Sequence, residues 1–85
     1  MITIYSTNTC PSCVAAKRFL DDKGLEYKII NIEKENISRE EMATMSGGGM
    51  TVPQIVINSE CIGGYDNLIA LHQNGQLKEL LKYDE

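Results

Sequence analysis

Cys10 and Cys13, in Cys10-Pro11-Ser12-Cys13, are the residues of this chain best suited to do chemistry. Two residues between cysteines let the sulfurs face each other across the first turn of a helix, where a small-ring disulfide opens and closes easily. The chemistry is thiol–disulfide exchange, whose nucleophile is the thiolate, whereas a free cysteine is mostly protonated at neutral pH. A sulfur at a helix N-terminus meets unpaired backbone N–H groups and the positive end of the helix dipole, and both favour the anion. Cys10 has that place. Cys13, inside the helix and on its core side, is expected to be the less exposed, resolving thiol. Two other readings stand beside this one: chance spacing, or half of a zinc site completed by Cys61 and His72. Structural zinc sites usually draw on two paired ligand clusters, and the second pair is missing here.

Two further segments hold chemistry-bearing backbone. Thr51-Val52-Pro53 places an X-Pro bond just before a strand. In the cis form it would present the N–H and C=O of Val52 outward beside Cys10, where a thiol peptide could pair with it like an added strand. In the trans form Pro53 simply begins an edge strand. In Gly63-Gly64-Tyr65-Asp66 the glycines permit close approach of a ligand, free N–H groups at a helix start suit a carboxylate, and Asp66 can accept an ammonium group. The plainer reading is a turn followed by a helix cap.

The surrounding pattern supplies elements to position these groups. Residues 2–6 alternate and are β-branched or aromatic, which predicts a strand. Pro11 suits a first helical position, and Cys13, Ala16 and Leu20 follow at helical spacing until Gly24 stops the run. A second strand is expected over 27–32. Ser38 and Glu41 form a capping box for a short helix ending by Ser46, with Ile37 stapled onto Met42. Gly47-Gly48-Gly49 is a loop, and 54–57 a strand. Asn58-Ser59 is a turn and Cys61-Ile62 the start of a return strand, broken at Gly63-Gly64. Asp66 is placed to start a helix from about Asn67 to Gln73, and Leu77, Leu80 and Leu81 mark a final short one. Met42, Met45 and Met50 are expected to pack against the second helix and its loop, Cys61 to be a buried apolar thiol, and His72 to lie on a helix surface. The order is β-α-β-α-β-β-α with a helical tail. A parallel βαβ unit followed by an antiparallel hairpin is α/β, a four-stranded mixed sheet flanked by helices, of the thioredoxin-like type.

Composition excludes several function classes. With 85 residues, of which 42% are hydrophobic, the chain can bury one modest core, so a single domain over 1–85 is expected. A formal net charge of −4 argues against nucleic acid, which needs a basic face. No apolar run approaches a membrane span, and Met1 leads straight into a strand pattern without the features of a signal peptide. Three cysteines are too few and too odd in number for a disulfide framework, which points to a reducing compartment, most simply the cytoplasm.

Cys-Pro-x-Cys, then Thr-Val-Pro-Gln, then Ile-Gly-Gly-x-Asp, in that order and across nearly the whole chain, resembles the glutaredoxin family and its short dithiol bacterial members. The resemblance implies a glutathione-dependent thiol–disulfide oxidoreductase. In it Cys10 attacks a disulfide and Cys13 resolves the product. Thr51 and Val52 hold the glutathione cysteine backbone next to cis-Pro53, Gly64, Tyr65 and Asp66 take its γ-glutamyl end, and Ser12 is a further glutathione contact. It implies glutathione as reductant, no metal, a monomer, and disulfide-bearing or glutathionylated proteins as partners, ribonucleotide reductase among them. Two alternatives remain, a redoxin reduced by thioredoxin reductase and an iron–sulfur dimer sharing a cluster through Cys10 and glutathione. The chain departs from the family pattern at Ser12, where many members have tyrosine, at Thr7, where many have lysine, and before Thr51, where a basic residue is common. Each change weakens anion binding, and Lys17 and Arg18 could offset this in part.

Overall fold

Tyr5 and the isoleucines before it show why the first strand becomes an inner one. In the computed structural model, which describes residues 1–81, strand β1 is Ile2–Ser6. Ile2 and Ile4 are buried on one face and Tyr5 on the other, so β1 needs a cover on both sides. Helix α1 (Pro11–Asp22) leads to β2 (Lys28–Asn31), which pairs parallel to β1. After α2 (Arg39–Ser46) come β3 (Gln54–Ile57), antiparallel to β1, and β4 (Glu60–Gly63), antiparallel to β3. Helices α3 (Tyr65–Gln73) and α4 (Gln76–Leu81) close the described chain. The sheet order is β2-β1-β3-β4, the expected four-stranded mixed sheet. The last positions of the expected 1–85 span, 82–85, lie outside the described residues.

The core divides by face. Ala16 and Leu20 of α1, Leu68 of α3 and Leu77 of α4 pack with Ile2, Ile4, Ile55 and Ile57 on one side of the sheet. Met42 of α2 packs with Tyr5 and Ile32 on the other, joined by Ile37, Val52 and Val56. Local chemistry starts and stops the helices as expected. Ser38 Oγ accepts the Glu41 N–H and Glu41 Oε1 accepts the Ser38 N–H, both at 3.0 Å, so the capping box is complete. Gly47 ends α2 in the left-handed region at φ 80°. The β3–β4 turn places Asn58 and Ser59 at φ 52° and 71°. Asn58 also ties the two ends of the fold: Oδ1 accepts from the Met1 ammonium at 2.8 Å and Nδ2 donates to the Leu80 carbonyl at 3.0 Å.

Four expectations need correction. Helix α3 starts at Tyr65, not near Asn67, because Gly64 caps it with backbone alone: its carbonyl accepts the Leu68 N–H at 3.1 Å, and Asp66 sits inside the first turn. Met45 and Met50 do not pack; they are 54% and 55% exposed, and Ser46 takes the inward place one turn after Met42. Cys61 is half-buried rather than buried, and its thiol donates to Gln54 Oε1 at 3.3 Å instead of packing as a hydrocarbon. His72 is half-buried too, its ring edge-on to Phe19 with centroids 5.1 Å apart.

The capping box gives a stability test that leaves the cysteine pair alone. Ser38→Ala is expected to cost about 1 kcal/mol, which lowers Tm by roughly 4–8 °C in a domain of this size. Thermal unfolding followed by circular dichroism checks it, and an unshifted midpoint would contradict the assigned cap.

Candidate functional site

Helix α1 begins on a sulfur. Cys10 is its N-cap, with extended backbone at φ −142° and ψ 100°, and its Sγ accepts the Cys13 N–H at 3.1 Å. This is the geometry of a serine or aspartate cap, with sulfur in place of oxygen. Pro11 stands at the first helical position, where its missing N–H costs nothing. The capping N–H and the positive end of the helix dipole both face this sulfur.

The loop that delivers Cys10 is tied to the end of β2. Asn8 N–H donates to Glu33 Oε1 at 2.6 Å, and Asn31 Nδ2 donates to Asn8 Oδ1 at 2.8 Å. Asn31 Oδ1 in turn accepts the N–H groups of Glu33 and Lys34. Sequence patterning did not single out these residues, because the contacts join segments more than twenty positions apart.

The two thiols differ sharply. Cys10 is half-exposed, while Cys13 is 1% exposed, on the buried face of α1 with Ala16 and Leu20. Burial pushes the Cys13 thiol up from its usual 9.0 to about 12, helped by its hydrogen bond to Cys10 and by the Cys10 charge. A backbone hydrogen bond from Thr7 and the Lys17 ammonium pull the other way. Lys17 therefore acts on the inner thiol, and Arg18 is exposed.

Beside this helix start lies a cleft of about 280 Å³ lined by Ser12, Thr51, Val52, Pro53, Gly64, Tyr65, Asp66 and Asn67. Every residue expected at a glutathione site is there, drawn from α1, the loop before β3 and the start of α3. The Val52-Pro53 peptide bond is cis, as expected. Gly64 gives α3 no side-chain cap, so the first-turn N–H groups are left for a ligand oxygen. Asn67 is the lining residue that sequence reading missed. Its signal was Gly63, which has φ 99° and whose place a side chain could not share with Asn67 Nδ2. A larger hollow of about 630 Å³ between β4, α3 and α4 shares only Asn67 with the cleft and touches neither Cys10 nor Cys13. The four ligands of the zinc reading are not gathered: Cys61 bonds to Gln54 and His72 packs on Phe19. Among the described residues no three His, Cys, Asp or Glu side chains converge on one point.

A mixed four-stranded sheet with a helix-capping Cys-x-x-Cys defines a thioredoxin-like thiol–disulfide oxidoreductase. The glutaredoxin family model matches residues 2–62. The chain is 44% identical over 81 residues to glutaredoxin 3 of Escherichia coli K12, covering 95% of this chain and 96% of that one. It is 41% identical over 80 residues to a probable glutaredoxin of Synechocystis sp., covering 94% and 73% of the two chains. Among solved structures it is similar to the glutaredoxin of Brucella melitensis, with TM-score 0.76, 42% identity and 95% and 87% of the two chains covered. It is also similar to a buckwheat glutaredoxin–glutathione complex, with TM-score 0.83, 26% identity and 95% and 76% covered. This chain belongs to the glutaredoxin family.

The contrast between the thiols is directly measurable. Iodoacetamide at neutral pH is expected to modify Cys10 in the folded, reduced protein and to leave Cys13 unmodified, as read by peptide mass mapping. The Cys13 shift also sets a pH dependence. Its folded value, about 12, lies above the usual 9.0, so the fold favours the neutral thiol. That stabilisation is complete below pH 9 and is lost as pH rises toward 12. Cys13→Ala is expected to flatten this part of the stability profile in denaturant titrations, and an equally steep profile would contradict the assignment.

Proposed function

We propose that the chain is a glutathione-dependent dithiol reductase of protein disulfides and glutathione mixed disulfides, with Cys10 as nucleophile, Cys13 as resolving thiol and the adjacent cleft as the glutathione site. The observation that carries this reading is the Cys10 sulfur held at the start of α1 by the Cys13 N–H at 3.1 Å, one residue away from Pro11 and two from the cleft-lining Ser12.

With a glutathionylated substrate, the Cys10 thiolate attacks the glutathione sulfur. The substrate–glutathione S–S bond breaks, the substrate leaves as a thiolate and takes up a proton, and a Cys10–glutathione disulfide forms. A second glutathione thiolate attacks that disulfide at the glutathione sulfur, releasing oxidised glutathione and the Cys10 thiolate. With a protein disulfide, Cys10 first forms a mixed disulfide with the substrate. Cys13 then loses its proton and attacks the Cys10 sulfur, which frees the second substrate thiol and closes Cys10–Cys13. Two glutathiones reopen that bond and become oxidised glutathione.

The order of these steps has a physical basis in the reduced pair. Two of the three causes that hold Cys13 protonated are the Cys10 hydrogen bond and the Cys10 charge. Both disappear when Cys10 enters a mixed disulfide, while the Thr7 hydrogen bond and the Lys17 charge continue to favour the anion. Cys13 is thus quiet until there is something to resolve.

In the cleft, the Val52 backbone is available to the glutathione cysteine, the first-turn N–H groups of α3 to the γ-glutamyl carboxylate, and Asp66 to its ammonium. Tyr65 supplies aromatic surface that Ser12 does not. We place the protein in the cytoplasm as a monomer, acting on disulfide-bearing and glutathionylated proteins, ribonucleotide reductase among them. Among the described residues no helix is long and apolar enough to cross a membrane.

Cys10→Ser is expected to abolish both activities. Cys13→Ser should keep removal of glutathione from a mixed disulfide and lose most protein-disulfide reduction. A coupled assay with glutathione and glutathione reductase measures both, and equal loss in the two variants would overturn the roles. Turnover with thioredoxin reductase in place of glutathione, or a brown dimer after anaerobic purification, would replace this reading with one of its rivals.

A further inference from the structure

Gln54 is 3% exposed, and neither the thiol chemistry nor the cleft lining gives it a part. It follows Pro53 directly as the first residue of β3, and its side chain lies against the loop that precedes it. Nε2 donates to the Thr51 carbonyl at 2.8 Å and to Thr51 Oγ1 at 3.2 Å. Oε1 accepts the Gly49 N–H and the Cys61 S–H, both at 3.3 Å. The partners fix this orientation of the amide: reversed, donor would face donor at Gly49 and acceptor would face acceptor at the Thr51 carbonyl. Gly48 packs so closely here that an added Cβ would collide with Gln54 Oε1 and Cys61 Sγ. The same segment has a second tie outside, where Arg39 Nη1 donates to the Met50 carbonyl at 3.0 Å.

We propose that Gln54 is a positioning residue for glutathione recognition. Its buried carboxamide holds the Thr51 carbonyl from the interior, which fixes the backbone of Thr51 and Val52 against which the tripeptide docks. The inference rests on the glutathione reading of the cleft. Gln54 touches no substrate and acts through Thr51. A short glycine-rich loop has many conformations, and without this amide the segment Thr51-Val52 would have to be ordered by the ligand itself, at a cost in affinity. Cys61 acquires a role in the same arrangement, as the donor that satisfies Oε1 from β4.

The test is steady-state kinetics of the full chain on a glutathionylated peptide, alongside the rate of Cys10 alkylation by iodoacetamide, which needs no glutathione site. Gln54→Glu keeps an acceptor for Gly49 and Cys61 and removes the donor to Thr51. It is expected to raise KM about tenfold, equivalent to about 1.4 kcal/mol, with kcat and the alkylation rate held within about twofold, the signature of lost uniform binding. Gln54→Met, which keeps length and removes both polar ends, should raise KM at least as far. An unchanged KM in both Gln54 variants overturns the proposal. So does a fall in kcat and alkylation rate without a rise in KM, since that marks a general loss of packing. Should the Glu variant not fold, the Met variant is read alone by the same criteria. Failure of the glutathione reading itself looks different: the unaltered chain would then not turn over the glutathionylated peptide at all.

Discussion

A backbone N–H pointing at a sulfur is the contact on which this protein depends. The Cys13 amide that reaches Cys10 Sγ is one of the donors a helix start must leave without an intrahelical partner. In most helices an oxygen side chain takes it and the result is only a stable end. Here the acceptor is a thiol sulfur, so the interaction that begins α1 also points a donor at the atom proposed to react. Fold and function are coupled at one bond. The rest of α1 then serves to aim that bond: Cys13, Ala16 and Leu20 lie along its buried face, and packing of that face sets where the sulfur stands.

The pair is asymmetric because the helix is amphipathic. One turn separates the thiols in sequence, but that turn carries Cys13 into the core and leaves Cys10 half-exposed. Burial alone favours a neutral Cys13, and the neighbouring Cys10 adds to it. The proposed division into nucleophile and resolving thiol therefore needs no dedicated base between them. Their order of action follows from which is buried and from what happens to the charge of the first when it reacts.

The cleft is built differently, from three segments that meet only in the folded chain. Its floor is a backbone at 51–53, its far wall a helix start that no side chain caps, and its near wall Ser12. The positions flanking it carry Thr7, Ser12 and Met50, none of them cationic or aromatic. The cleft is made largely of backbone groups, with one acid, Asp66, and one tyrosine, Tyr65. Shape and backbone N–H donors are most of what such a cleft offers a ligand. That places weight on how firmly the loop is held, by Gln54 from within and by Arg39 from without.

Much of this was legible in the amino-acid sequence because it is local. The capping box at Ser38 and Glu41, the glycine stop after Ser46, the Asn58-Ser59 turn and the sulfur cap at Cys10 each involve residues at most a few positions apart, so their spacing carries the information. The mixed four-stranded sheet followed from alternation and from the parallel and antiparallel connections, while its order β2-β1-β3-β4 came from the tertiary pairing. The motifs also named seven of the eight residues that line the cleft. Missing were the contacts between distant segments. Nothing in the spacing says that Asn8 meets Asn31 and Glu33, that Asn67 completes the cleft, or that Cys61 bonds to Gln54. Met45 was expected to pack, but Ser46 holds the inward place instead. Sequence by itself determined which sulfur caps a helix start and which backbone begins each element, since those depend on neighbours along the chain. Tertiary structure alone decided how firmly the loop before β3 is held and which thiol is shielded from water, since burial and long-range hydrogen bonds exist only once separate segments are packed together.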